Sequence, residues 1–136
     1  MNFVGRKVVV YGAGASGICA YELLREKGAR AIVYDDDPSR DRATNSVGVF
    51  KDADIIVLSP GVNPNKDFLL DARLENKIVT SELNLASGVC AAEQIAVTGT
   101  NGKTTTTMLI DHILKRAGIL SHAFGNIGVP FSSIAD

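Results

Sequence analysis

Residues 7–17 read Lys7-Val8-Val9-Val10-Tyr11-Gly12-Ala13-Gly14-Ala15-Ser16-Gly17. An uninterrupted β-branched and aromatic run is the pattern of a strand buried on both faces. Three glycines spaced GxGxxG follow it, and Ser16–Lys27 then carries Ile18, Ala20, Leu23 and Leu24 at helical spacing before Gly28 ends the segment. The first glycine suits a tight turn, the second lets the backbone approach a diphosphate, and the third lets helix pack on strand. The helix start then offers free N–H groups to an anion. This strand-loop-helix unit is the opening of a doubly wound α/β sheet.

Working outward, strand-length apolar runs recur at Ala31–Tyr34, Asp54–Leu58, Lys77–Thr80 and Gln94–Thr98. Asp67–Glu75 has Phe68, Leu69, Ala72 and Leu74 at helical spacing. Thr104–Ala117 is a longer helix, with Leu109, Ile110, Ile113, Leu114 and Ala117 forming one stripe before Gly118. The alternation of strands and helices predicts an α/β fold: a small Rossmann-like doubly wound parallel sheet, followed by the truncated start of a P-loop ATPase domain. Residues 1–85 form the sheet domain. Residues 86–93, ASGVCAAE, are small and weakly patterned, as a linker is. Residues 94–136 supply a first strand, a second glycine loop, one helix and a tail, with one further short strand expected near Ser121–Phe124. So few elements cannot cover both faces of a sheet, so the second unit reads as part of a larger domain.

The first loop is suited to any nucleotide bearing a diphosphate, NAD(P) among them, with a purely structural turn as the bland reading. Asp35 ends the second strand, where an acidic residue accepts a bond from a ribose hydroxyl in NAD-binding folds. Asp36, Asp37 and Pro38 read first as an acidic turn whose Pro38 starts a short helix, with Asp37 as its cap. Ser59-Pro60-Gly61 follows the third strand at the same edge, and by itself it is a turn signal.

The second loop is Gly99-Thr100-Asn101-Gly102-Lys103-Thr104, followed by Thr105. Its GKT end opens a helix as a Walker loop does, although Val97 stands where the longer signature has its first glycine. Backbone N–H groups would wrap phosphates, Lys103 would neutralise them, and the Thr104 hydroxyl would ligate Mg²⁺. His112 and His122 have no partner at ligand spacing and read as structural.

The remaining composition narrows the field. With 136 residues, 46% apolar, and a net charge of −1 with both signs interspersed, the chain carries no footprint for nucleic acid or an anionic membrane. Cys19 and Cys90 lie far apart, and there is no amino-terminal apolar run; both facts suggest a reduced, cytoplasmic protein with no membrane span.

Two different glycine loops in this order, GAGASG at Gly12–Gly17 and VTGTNGKTTT at Val97–Thr106, with LSPGV at Leu58–Val62 and GNIGVP at Gly125–Pro130, resemble the amino-terminal part of the Mur ligases. Asn101 and SPG, together with the GxGxxG opening, resemble the branch that joins D-glutamate to UDP-N-acetylmuramoyl-L-alanine. The resemblance implies that the sheet domain holds a UDP-substrate rather than NAD. Gly14, Ala15 and Ser16 would meet the diphosphate, Asp35 and Asp36 the uracil region, Ser59, Pro60 and Gly61 the nucleotide-sugar, and Asn126 would reach the substrate from the second unit. It implies ATP at Gly99, Thr100, Asn101, Gly102, Lys103, Thr104 and Thr105, with Lys103 catalytic, Thr104 on Mg²⁺, and an acyl-phosphate intermediate that the amino acid's amine displaces. The parent is expected to be monomeric. The 136-residue chain is expected to be inactive alone, to bind UDP ligands, and to expose an apolar edge through which copies self-associate. Residues 36–52 are fewer than the family usually places there, and Ser81–Leu85 reads SELNL where it often reads GEIEL.

Overall fold

A computed structural model describes residues 2–125 and 128–135. Among them, five strands form one parallel sheet: β1 (Lys7–Tyr11), β2 (Arg30–Tyr34), β3 (Ala43–Thr44), β4 (Ile55–Leu58) and β5 (Ile78–Ser81). The order across the sheet is β3-β2-β1-β4-β5. The chain moves outward from β1 in one direction and then restarts on its other side, so the topological switch point lies between β1 and β4.

Register follows from side-chain alternation. Val8, Val10, Ala31, Ile55 and Val57 face one side, where Ala20 and Leu24 of α1 (Ala15–Glu26) and Leu85 of α3 (Glu82–Val89) cover them. Val9, Tyr11, Tyr34 and Ile56 face the other, against Phe50, Ala53 and Leu69 and Ala72 of α2 (Asp67–Leu74). This two-sided burial explains the continuous apolar runs of the sequence. The α1 helix ends as its sequence suggests: Gly28, at φ +80°, lets its own N–H reach Arg25 O and that of Ala29 reach Leu24 O. In α2, Asn76 does the same work at φ +59°.

Three differences from the sequence reading have local causes. The 36–52 crossover holds no α-helix; it is spanned by β3 and a 3₁₀ turn at Val47–Phe50, whose Phe50 plugs the core. Helix α3 runs through residue 86, where composition had suggested the start of a linker, because Ser81 caps it by accepting the Asn84 N–H and Ala86 is buried against Leu23. Residues 94–98 and 121–124 are not strands: no neighbouring strand among the described residues supplies their backbone bonds.

Helix α4 (Lys103–Arg116) buries none of its residues; Leu109 and Ile113 of its apolar stripe are exposed, as is the neighbouring Met108. Beyond it, a 3₁₀ turn at Phe131–Ser133 returns to the first unit, and Phe131 and Ala135 are buried with Leu23 of α1 and Ala86 of α3. No helix among the described residues is long and apolar enough to cross a membrane.

Candidate functional site

Parallel register brings Tyr11, Tyr34, Leu58 and Ser81 into one row at the carboxyl ends of their strands. The loops that leave this row therefore emerge together, which is where open α/β sheets bind ligands. Gly12, at φ +107°, turns the chain out of β1 while its N–H donates to Tyr34 O at 2.8 Å. Gly17 permits the close crossing, since a Cβ there would lie 1.7 Å from Gly12 O. Gly14 is different. It stands at the amino end of α1 without a side-chain cap and with open space around it, so a ligand can reach the helix-start N–H groups.

Ser59 joins the two sides of the switch point. Its N–H donates to Tyr11 O at 2.9 Å, and its hydroxyl donates to Gly12 O at 3.0 Å. It is buried, whereas Pro60 and Gly61 are exposed on the turn that follows, Gly61 with φ +90°. Asp35 serves the same loop from β2: Oδ2 accepts the Ala13 N–H at 2.7 Å and Oδ1 accepts that of Asp37 at 3.0 Å. The glycine loop is thus clamped from both neighbouring strands. A cleft of about 510 Å³ lies beside it, lined by Ala13, Ile18 and the 37–42 loop with Arg40 and Arg42.

Asp36 sits in a cluster that spacing did not reveal. Tyr11 Oη and Lys66 Nζ each donate to its Oδ2 at 2.5 Å, and Tyr34 Oη donates to Oδ1 at 3.1 Å. The Lys66 and Tyr11 bonds hold the Asp36 carboxyl below the usual carboxylate range, and the Lys66 ammonium is pushed up in turn, chiefly by its bond to Asp36. Burial, then the bond to Asp36, raises the Tyr11 and Tyr34 hydroxyls. Lys66 Nζ also lies 5.3 Å from the Tyr11 ring centroid. Asp36 therefore ties the ends of β1 and β2 to the start of α2. Tyr11, Tyr34, Phe50 and Phe68 pack as one aromatic group beneath it. A sequence signal did exist: Tyr11 and Tyr34 occupy equivalent strand-end positions directly before their loops.

At the second loop, Gly102 in a left-handed conformation (φ +77°) directly precedes α4. Lys103 Nζ folds onto its own loop, donating to Gly99 O at 2.5 Å and Thr100 O at 3.2 Å. Asn101, Thr104 and Thr105 are exposed around it. The Thr104 hydroxyl is one hard oxygen donor, exposed in the first turn of α4. Among the described residues no group of three His, Cys, Asp or Glu side chains is placed to hold a metal ion; with Thr104 as a protein donor, Mg²⁺ would be held together with nucleotide phosphates and water. The loop's own scaffold is open, with α4 unburied above it.

The Mur ligase middle domain family matches residues 97–134, which contain this loop. The UDP-N-acetylmuramoylalanine–D-glutamate ligase of Lachnoclostridium phytofermentans is 35% identical over 98% of this chain and 33% of its own length. That of Chlorobium luteolum is 41% identical over 97% of this chain and 32% of its own. The chain belongs to the Mur ligase family.

It spans about a third of the length of the curated Mur ligases it matches. A crystal structure of the UDP-N-acetylmuramate–alanine ligase of Thermotoga maritima covers 83% of this chain and 30% of its own at a TM-score of 0.53 and 22% identity, which establishes the shared fold. Of the positions the Mur ligase resemblance implicates, Gly14, Ala15, Ser16, Asp35, Asp36, Ser59, Pro60 and Gly61 converge on the one sheet edge, and Gly99–Thr105 form the separate second loop. Asn126 lies outside the described residues.

Proposed function

We propose that residues 1–85 are the UDP-substrate-binding domain, and residues 94–136 the first part of the central ATPase domain, of a ligase that joins D-glutamate to UDP-N-acetylmuramoyl-L-alanine in peptidoglycan precursor synthesis. The connection between them, read from composition as residues 86–93, begins only after α3 ends at Val89. The observation that carries this reading is the doubly clamped glycine loop, held by Asp35 on one side and Ser59 on the other, with open space at Gly14. Such a loop is pre-organised to receive a diphosphate on the N–H groups of Gly14, Ala15 and Ser16. Both Asp35 oxygens already accept backbone N–H groups, which favours a loop-holding role over the ribose-binding role of an NAD site.

The proposed reaction is acyl transfer through an acyl phosphate. ATP with Mg²⁺ supplies the phosphoryl group, and the amino acid's amine then displaces phosphate. The contribution of this chain to the first step is electrostatic positioning. Gly99–Thr105 would wrap the ATP phosphates, the Lys103 ammonium would exchange its loop carbonyls for phosphate oxygens, and Thr104 would hold Mg²⁺. Pro60 and Gly61, beside the loop, would meet the nucleotide-sugar, with Asp36 and its tyrosines shaping the uracil end and Asn126 reaching in from the second unit. Soluble nucleotide substrates place the work in the cytoplasm. The 136-residue chain alone binds the UDP-substrate but does not ligate.

Titration of ¹⁵N-labelled protein with UDP-N-acetylmuramoyl-L-alanine tests the reading: the Gly12–Gly17 amides shift, and NADH leaves them in place. The reverse pattern identifies an NAD(P)-binding regulatory module instead. Phosphate release or ligation by the isolated chain overturns the assignment of inactivity.

A further inference from the structure

Glu82 is only 4% exposed, at the first turn of α3, and its Oε1 accepts the N–H of Ser132 at 2.8 Å across 50 residues of chain. Ser132 is itself 5% exposed, between Phe131 and the rest of the returning 3₁₀ turn. Phe131 stacks on Phe124 with centroids 3.7 Å apart and is buried with Leu23 and Ala86. Helix α4, by contrast, buries nothing. It is joined to the sheet unit by the chain that precedes Lys103 and the chain that follows Arg116. Among the described residues, the chain after α4 docks on α1 and α3 at the Phe131–Ser133 turn. At that dock the polar bond is Glu82 to Ser132, shielded from water, where a carboxylate acceptor is worth more than on the surface.

We propose that Glu82 is a positioning residue: by clasping Ser132 it turns a single tether of the phosphate-loop helix into a double one. The clasp thereby sets how the second loop is presented to the sheet edge. Helix α1 begins at the first glycine loop and α3 begins at Ser81 in the strand-end row, so the docked segment rests on the two helices that start from the proposed UDP site. This inference uses the proposed function only in saying that the two loops serve one substrate; the clasp itself stands on the contacts.

The experiment is ¹⁵N relaxation and amide exchange on the 136-residue chain as wild type, Glu82→Ala and Glu82→Gln. In wild type, amides 103–116 report the same tumbling time as β1, β2 and β4. In Glu82→Ala their tumbling becomes clearly faster than that of the strands, and Ser132 exchange accelerates at least about tenfold, the equivalent of losing one bond of about 1.4 kcal/mol. Glu82→Gln keeps an Oε1 acceptor and restores coupling, which a role in overall stability alone would not do. Unchanged α4 tumbling in a folded Glu82→Ala protein overturns the proposal, as does failure of Glu82→Gln to restore it. If Glu82→Ala does not fold, Ser132→Pro removes the donor N–H with Glu82 in place and is judged by the same tumbling difference. The UDP-substrate titration of residues 12–17 reads the proposed function separately, since those amides lie outside the clasp.

Discussion

The Ser59 hydroxyl donates to the carbonyl oxygen of Gly12 at 3.0 Å, joining two loops 47 residues apart across the switch point between β1 and β4. The same hydroxyl would lie 2.6 Å from a Cβ built on Gly17. One small side chain and two glycines thus form a single interlocked crossing, so changes to any of them should be felt together.

Gly17→Ala should be the most damaging small substitution in the chain, because the new methyl has the Gly12 backbone in its way and no flexible side chain to displace. A loss of about 3 kcal/mol is expected. Ser59→Ala leaves the buried Gly12 carbonyl unpaired and should cost about 1–2 kcal/mol. Urea-unfolding midpoints would check both, and a double mutant should cost less than the sum because the sites are in contact.

The Asp36 cluster predicts a particular pH response. Asp36 is depressed, so its stabilisation is present above its unfolded pKa of about 3.9 and is lost as pH falls through the lower folded value. Lys66 is raised, so its contribution is present below about 10.4 and is lost as pH rises through the higher folded value. Asp36→Asn should flatten the acid limb of a stability profile and Lys66→Met the alkaline limb. The two side chains are 51% and 33% exposed, so their coupling in a double-mutant cycle should be no more than about 1 kcal/mol.

Lys103→Met should leave stability within about 0.5 kcal/mol of wild type, since its bonds run to exposed carbonyls of its own loop. Its effect should appear with ligand. Shifts of the Gly99–Thr105 amides on adding Mg-ATP should disappear, while the UDP-substrate response at residues 12–17 remains. Loss of both responses would mean that the two loops are not independent sites.

Leu24→Ala and Leu109→Ala delete the same atoms from two helices and should differ sharply. Leu24 is 1% exposed in the α1 interface and should cost about 2–5 kcal/mol; Leu109 is 56% exposed on α4 and should be nearly neutral in this chain. Thermal unfolding of the pair would show it, and a large cost at Leu109 would mean that its stripe is covered in solution.

Much of this protein could be read from local pattern. Three consecutive valines before GxGxxG set β1, the loop and α1, because burial on both faces, glycine's tolerance of φ +107° at Gly12 and the absence of a Cβ at Gly17 are all local requirements. The terminators Gly28 and Gly118 marked helix ends for the same kind of reason. Helix α3 was hidden because small residues such as Ala86 and Gly88 have little pattern of their own, and burial against α1 decided it. The two-residue β3 and the Val47–Phe50 turn were hidden too, being too short for any period to show.

The sequence alone thus determined the α/β class, the two glycine loops and the residue types able to meet phosphate, since each rests on neighbours within one strand-loop-helix unit. Tertiary structure alone decided that Asp35 holds the Ala13 amide, that Asp36 is held by Tyr11, Tyr34 and Lys66, and that Glu82 clasps Ser132. Those partners lie from 2 to 50 residues apart along the chain, and most of them meet only because parallel register aligns the strand ends and buried helix faces draw distant segments together.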